Sequence, residues 1–372
     1  MNHIFPLLFH IFVERLFRIF GNDTMIPDKK QGGFFMLNQN LMTKNWQEER
    51  LGVVKCQLDL ETALTRKTDY NNNSWFAFGR FEADGHVLDY LFHIMQLEFP
   101  KLMGGIKYQT VVTVLDETTG DYYSKDYLFK LKDVKEQADP FLLEVPNGSI
   151  SGNWDKLHIK INEGDFKLDT VVSAIHYPVV SCGTSVFELL GMCIHQFSVP
   201  YMNTTGTLTW KGHTYVISDK GYTWFDRQWQ QLNMKNTMKW SWMAIYLENG
   251  DIISVLDCDA PGYENGLVAN LLTDGTQING MGSEAVRPFK QGESEYYYNP
   301  AAKQEYPSHW HIDIPKIDAK LEITPFKKEQ DIASVFAPLS KYEGVCSVKG
   351  TYKGKEVTGT ALVELIGAWP KR

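Results

Sequence analysis

The chain has 372 residues, with 37 Lys and Arg against 45 Asp and Glu and a net charge of −8. It therefore offers no basic field for a phosphate backbone, and nucleic acid is excluded as a partner. Five scattered cysteines (Cys56, Cys182, Cys193, Cys258, Cys346), never spaced Cys-x-x-Cys, argue against a disulfide framework or a structural zinc site and for a reducing, cytoplasmic setting.

Residues 1–37 read as an N-terminal extension. Their apolar run from Ile4 to Val13 is broken by Glu14, Arg15 and Arg18, too short to give a stable membrane span. It suits a surface amphipathic helix, a poor signal sequence, or translated upstream sequence with the true start at Met25 or Met36.

Beyond residue 38 the chain reads as mostly β. Turn signals at Asp84-Gly85, Thr119-Gly120, Lys211-Gly212, Asn249-Gly250, Asp274-Gly275 and Lys353-Gly354 separate alternating or aromatic-rich runs, as β-hairpins require. Helical periodicity is scarce, and SVFELLGMCIHQF (185–197) is the best internal helix predicted.

The hairpins repeat. WFAFGRFEADGHVLDYLF starts at Trp75 and reaches its Asp-Gly turn nine residues later, as WSWMAIYLENGDIISVLD does from Trp240 to Asn-Gly. The Trp-led alternating segments at Trp154 and Trp310 follow in the same order. Two β domains of related plan are expected, 38–203 and 204–372. A meander of this length hides its edges by closing, so the predicted fold is all-β, with two tandem antiparallel β-barrels.

One stretch concentrates unusual chemistry: GYTWFDRQWQ, 221–230. Read as a strand, Tyr222, Trp224, Asp226 and Gln228 share one face, while Thr223, Phe225, Arg227 and Trp229 share the other. If the Asp226 face is a barrel interior, desolvation raises this carboxyl and makes it a proton donor; the alternative is a structural pin between strands. Arg227 reads as structural, stacked on Trp229 or forked onto a carboxylate between domains. Trp240, Trp242 and Tyr246 share a strand face and either stack along a ligand or fill a barrel. His309 and His311 lack a third ligand nearby, so no metal site is predicted. Nucleotide-binding and nucleophile-elbow motifs are absent, and no cofactor is expected.

FSVPYMNTTGTL (197–208), GYTWFDRQW (221–229), WSWMAIYLENGD (240–251), YPSHWHIDIP (306–315) and YEGVCSVKGTYKGKEVTGTALVELIG (342–367) together resemble the carotenoid hydratase and AttH-like group, also called hydroxyneurosporene synthase-like. The first half is similar more loosely, through WFAFGRFEADGH, GNWDKLHIKI and HYPVVSCG. The resemblance implies two lipocalin-like barrels packed against each other, with an apolar ligand site at or near their junction. It further implies that Asp226 protonates a double bond, with Trp224, Tyr222 and Tyr201 nearby to stabilise a cation. The chain departs from the hydratase branch at Phe197, Ser198 and Val199, where that branch carries a His and an aromatic residue.

The expected function is therefore binding of a hydrophobic, unsaturated small molecule of terpenoid, polyene or polyketide type in a ring-lined barrel cavity. Metal-free, acid-assisted hydration, isomerisation or cyclisation would follow, with Asp226 as general acid. Tyr201, Tyr222, Trp224, Gln228, Trp240, Trp242 and Tyr246 are the expected ligand contacts. A non-catalytic carrier or sensor of a lipid-like ligand is the alternative.

Overall fold

The computed structural model describes residues 58–189, 191–218, 220–232, 239–259, 266–279, 296–300, 303–334 and 340–367. The predicted extension, residues 1–37, lies outside them. Asp59 caps the short helix α1 (Leu60–Ala63) by accepting from the Glu61 amide at 3.2 Å, and strands follow.

One antiparallel sheet contains β1 (Asn72–Ala83), β2 (His86–Glu98), β3 (Ile106–Asp116), β4 (Asp121–Lys130), β5 (Lys135–Gln137), β6 (Leu142–Val145), β7 (Gly148–Asn153), β8 (Lys156–Glu163), β9 (Phe166–Ala174), β10 (Val186–Leu189), β11 (Met192–Trp210), β12 (His213–Ile217) and β13 (Tyr222–Gln230). The next four strands are β14 (Lys239–Leu247), β15 (Ile252–Asp259), β16 (Gly266–Thr273) and β17 (Thr276–Asn279); β18 (Tyr296–Asn299) and β19 (Gln304–Pro307) form a separate hairpin. The chain then adds β20 (Trp310–Ile314), β21 (Ala319–Pro325), β22 (Asp331–Ile332), β23 (Lys341–Tyr352) and β24 (Lys355–Ile366), which join β14 to β17 in the second sheet.

The two sheets share a plan. In the first, the order runs β2-β1-β13-β11-β9-β8; in the second, β15-β14-β24-β23-β21-β20. In both, the opening hairpin pairs with the closing strand, and the Trp154 and Trp310 segments take matching places. All six predicted turns close hairpins. Asp84 and Gly85 adopt φ 52° and 80°, and Lys353 and Gly354 adopt 51° and 73°, the left-handed pair that a tight two-residue connection requires.

Each sheet curls around its own apolar interior. Residues such as Tyr90, Phe92, Phe166 and Phe225 fill the first; Met243, Trp310, Leu321 and Tyr342 fill the second. A third cluster joins them face to face, with Phe76, Phe78 and Trp224 from the first sheet against Trp242, Ala244 and Leu362 from the second.

Two expectations change. The run 185–197 forms β10 and the start of β11, with Leu189 pairing Met192 across a turn that includes Gly191 at φ 72°. Phe187, Leu189, Met192 and Ile194 are buried while Glu188 is exposed and Cys193 and His195 are half-buried, so alternation and not helical periodicity governs the segment. The changeover between sheets also falls between Gln230 and Lys239, because β11, β12 and β13 all hydrogen-bond in the first sheet. Residues 204–230, assigned by sequence to the second barrel, pair with the first.

Candidate functional site at the sheet junction

Antiparallel register decides which side chains meet. Asp226 on β13 stands directly opposite Phe76 on β1 and Ser198 on β11, and Phe76 stands opposite His93 on β2. Directly paired residues point to the same side of a sheet, so His93, Phe76, Asp226 and Ser198 form one row across four strands. That row faces the second sheet. The Asp226 face of β13 is therefore the junction and not the barrel interior considered from the sequence. The other face holds Arg227, wholly buried in the first sheet's core.

Arg227 donates to the carbonyls of Ala63 at 2.9 Å, Thr65 at 2.7 Å, Ser74 at 3.3 Å and Gln228 at 2.6 Å, and to Asn73 Oδ1 at 2.8 Å. Its guanidinium lies 4.3 Å from the Trp75 ring centre and 4.8 Å from that of Trp229. Its acceptors are thus carbonyl and amide oxygens, not a carboxylate, and it ties the chain after α1 to β1 and β13.

On the junction side lies a cavity of about 110 Å³. Asp226, Gln228, Trp240 and Trp242 line it, as do Ser74, Phe76 and His93 from β1 and β2, Gln196 from β11 and Glu364 from β24. Leu189, Met192, Ile194, Leu256 and Cys258 supply apolar wall at one end. Phe76 meets Trp242 edge to face at 5.6 Å between ring centres, and Trp224 meets Trp242 at 5.3 Å.

Tyr201, Tyr222, Trp224 and Tyr246 do not line this cavity. They pack beside it on the same junction face, Tyr201 stacked on Tyr222 at 5.2 Å and Tyr222 against Tyr246 at 4.5 Å. A register shift in β11 between Val199 and Met202, at Pro200, which has no amide hydrogen to pair, leaves the Pro200 carbonyl to accept from Tyr246 Oη at 2.7 Å. His309 and His311 lie elsewhere: His309 contacts Glu322 at 3.1 Å.

Asp226 is 8% exposed, and its Oδ1 has no hydrogen-bond partner. Burial pushes this carboxyl up to about 7; Glu364 adds to the rise, and the polar groups of Ser198, Trp224 and Gln196 beside it hold it back. The indole nitrogen of Trp224 stands near without closing a hydrogen bond. The result is a carboxylic acid that still carries its proton near neutrality.

A buried charge cluster adjoins it. The Lys341 ammonium contacts Glu343, lies 3.3 Å from Glu364 Oε1 and 2.7 Å from His93 Nδ1. Trp240 Nε1 donates to Glu364 Oε2 at 2.9 Å, and His93 Nε2 lies 2.8 Å from Ser74 Oγ. His93, Glu343 and Glu364 bring one ligand atom each within 4.8 Å of one another, the spacing of a small cation site. Lys341 touches all three, so a cation of the chain's own already occupies that centre. Sequence reasoning missed Ser74, His93, Lys341, Glu343 and Glu364. Lys341 and Glu343 at i and i+2, just ahead of the apolar Val345 and Cys346 in β23, were the available signal, since such charges share one face.

The chain as a whole is similar to known proteins. Over 211 residues the chain is 26% identical to kievitone hydratase of Fusarium solani subsp. phaseoli, a match covering 55% of this chain and 58% of that protein. Its fold is similar to a kievitone hydratase structure from Nectria haematococca (TM-score 0.71, 18% identity, 85% of this chain and 94% of that one). It is equally similar to an AttH structure from Nitrosomonas europaea (TM-score 0.71, 16% identity, 85% and 98%). Residues 106–368, across both sheets and including Asp226, match the AttH-like family, and to that family the chain belongs.

Proposed function

We propose that this protein is a hydratase-type lyase that adds water to an alkene of a largely apolar small molecule held between the two sheets, with Asp226 as general acid. The observation that carries the reading is a buried carboxyl with an unpartnered oxygen facing a ring-lined cavity, where burial pushes its pKa up to about 7. Proton transfer to the alkene leaves a carbocation, and the faces of Phe76 and Trp242 stabilise positive charge there. Capture by water, with the proton shed by the added water returning to the Asp226 carboxylate, completes hydration; loss of a neighbouring C–H proton to the same carboxylate would give isomerisation from the same intermediate. The likeness to kievitone hydratase supports the hydration branch.

The cavity also bounds the reacting group. A space of about 150 Å³ holds a benzene, so about 110 Å³ accepts only a small alkene-bearing end, with the rest of the molecule extending toward solvent. A full polyene does not fit inside it.

Turnover is read as incorporation of heavy oxygen from labelled water across a panel of unsaturated terpenoids, polyenes and polyketides. The wild type incorporates label from at least one compound, and Asp226→Asn loses at least about 100-fold in rate while keeping affinity. Because the acid must be protonated, the rate falls as pH rises through about 7. Undiminished turnover in Asp226→Asn overturns the assignment. A carrier, the alternative that apolar walls alone would allow, returns every compound unlabelled.

A further inference from the structure

The buried charge cluster has a direction. Lys341 has only hydrogens to give, so the contact at 2.7 Å makes His93 Nδ1 an acceptor. The imidazole proton then sits on Nε2, which donates to Ser74 Oγ at 2.8 Å. Ser74 accepts there and keeps its own hydroxyl hydrogen for another partner. No acceptor among the described residues takes it, and Ser74 lines the cavity.

The protonation states agree with this reading. Burial works to strip Lys341 of its proton, and Glu343 and Glu364 overcome it, holding the ammonium above its ordinary value. Burial, then Lys341, pushes His93 well below its ordinary value, so the ring stays neutral and conducts the polarisation without adding a charge.

A chain that begins at a cation and passes through aligned donors presents a strengthened donor at its end. Such a terminus can take no proton from a nucleophilic water and, by donating to it, lowers its nucleophilicity, whereas it suits an oxygen acceptor on a ligand. We propose that Ser74, polarised through His93 by Lys341, anchors a carbonyl, phenolic or other acceptor oxygen of the substrate, so that the site takes an oxygenated unsaturated molecule and not a hydrocarbon. The inference rests on the junction cavity being the substrate site.

Register supplies the spacing. Ser74 pairs with Gln228, and Asp226 lies two residues along the same strand, a diagonal of about 7 to 8 Å between backbones. The anchored oxygen and the protonated alkene are then a few bonds apart.

Binding of two probes tests this: sulcatone, a methyl ketone with a trisubstituted alkene, and the hydrocarbon in which a methylidene group replaces its carbonyl oxygen. Affinity is followed by tryptophan fluorescence. The ketone binds the wild type about 3- to 10-fold more tightly, as one extra hydrogen bond predicts. Ser74→Ala removes that preference and leaves hydrocarbon affinity unchanged, its thermal melt verifying that it is folded. Equal affinity of the two probes for the wild type overturns the anchor and leaves the acid assignment standing, because that rests on Asp226→Asn turnover. Binding of neither probe overturns the anchor together with the cavity reading. A ligand-free check uses nitrogen NMR of labelled histidine, assigned with His93→Gln. A proton on Nε2 with bare Nδ1 is expected, and the opposite tautomer reverses the chain and overturns the proposal.

Discussion

Asp226 places acidity and stability in opposition. Its folded value of about 7 lies above the ordinary 3.8, so the unfolded chain releases this proton more readily than the folded one. Well below pH 3.8 both states hold the proton and the group costs nothing. As pH rises from about 4 to 7 the unfolded state gains from ionisation, and above 7 the cost is constant. Each tenfold difference in acidity between the two states is worth about 1.4 kcal/mol, which makes the full cost on the order of 4 kcal/mol. The stability of Asp226→Asn relative to the wild type therefore rises from its value near pH 3 up to pH 7, with a steady margin above, as urea midpoints across that range will record. A constant margin at every pH would mean that the carboxyl is not raised in the fold. Arg227, one residue away, meets the same burial differently. Desolvation pushes its guanidinium well below the ordinary value, yet five oxygen acceptors and two flanking rings surround it and favour the charged form.

At the level of the strand, both sheets rely on a glycine at the same place. Gly206 on β11 pairs with Thr170 on β9, and Gly350 on β23 pairs with Leu321 on β21. Both have positive φ, 140° and 156°, and a Cβ on either would lie about 2 Å from a neighbouring carbonyl oxygen, of Asp169 at 2.1 Å or Lys320 at 2.0 Å. The backbones approach too closely for any side chain, which lets each long strand bend and its sheet curl. Gly206→Ala and Gly350→Ala each lower stability by about 2 kcal/mol or more, since clash and backbone strain add. Urea midpoints measure this, and a loss below about 0.5 kcal/mol for either variant would contradict the close approach.

Across the whole molecule the junction is both core and site. Phe76, Phe78 and Trp224 on one side and Trp242, Tyr246 and Leu362 on the other are 8% exposed or less. At about 1.5 to 3 kcal/mol per large apolar side chain, six such residues account for some 9 to 18 kcal/mol, comparable with the entire stability of a typical domain. Neither sheet can uncover that face alone. Tryptophan fluorescence and far-ultraviolet circular dichroism should therefore trace one coincident unfolding transition, whereas two separated transitions would show that each sheet stands independently. A cavity in such an interface is shaped by both sheets, and Glu364 and Trp242 meet Asp226 only when they are packed together.

Turn chemistry and alternation carried the fold because both are local. An Asp-Gly or Lys-Gly pair specifies its hairpin within four residues, and the repeated Trp-led hairpins announced two sheets of one plan. The same local logic put Asp226 and Arg227 on opposite faces. It misread 185–197, where apolar spacing suits a helix and a strand alike until cross-strand pairing decides. Which face was interior, where the first sheet ended, and that His93, Lys341 and Glu364 gather beside Asp226 were matters for tertiary structure alone. Lys341 lies 248 residues from His93, and no local pattern encodes a contact made only when two curled sheets press their apolar faces together.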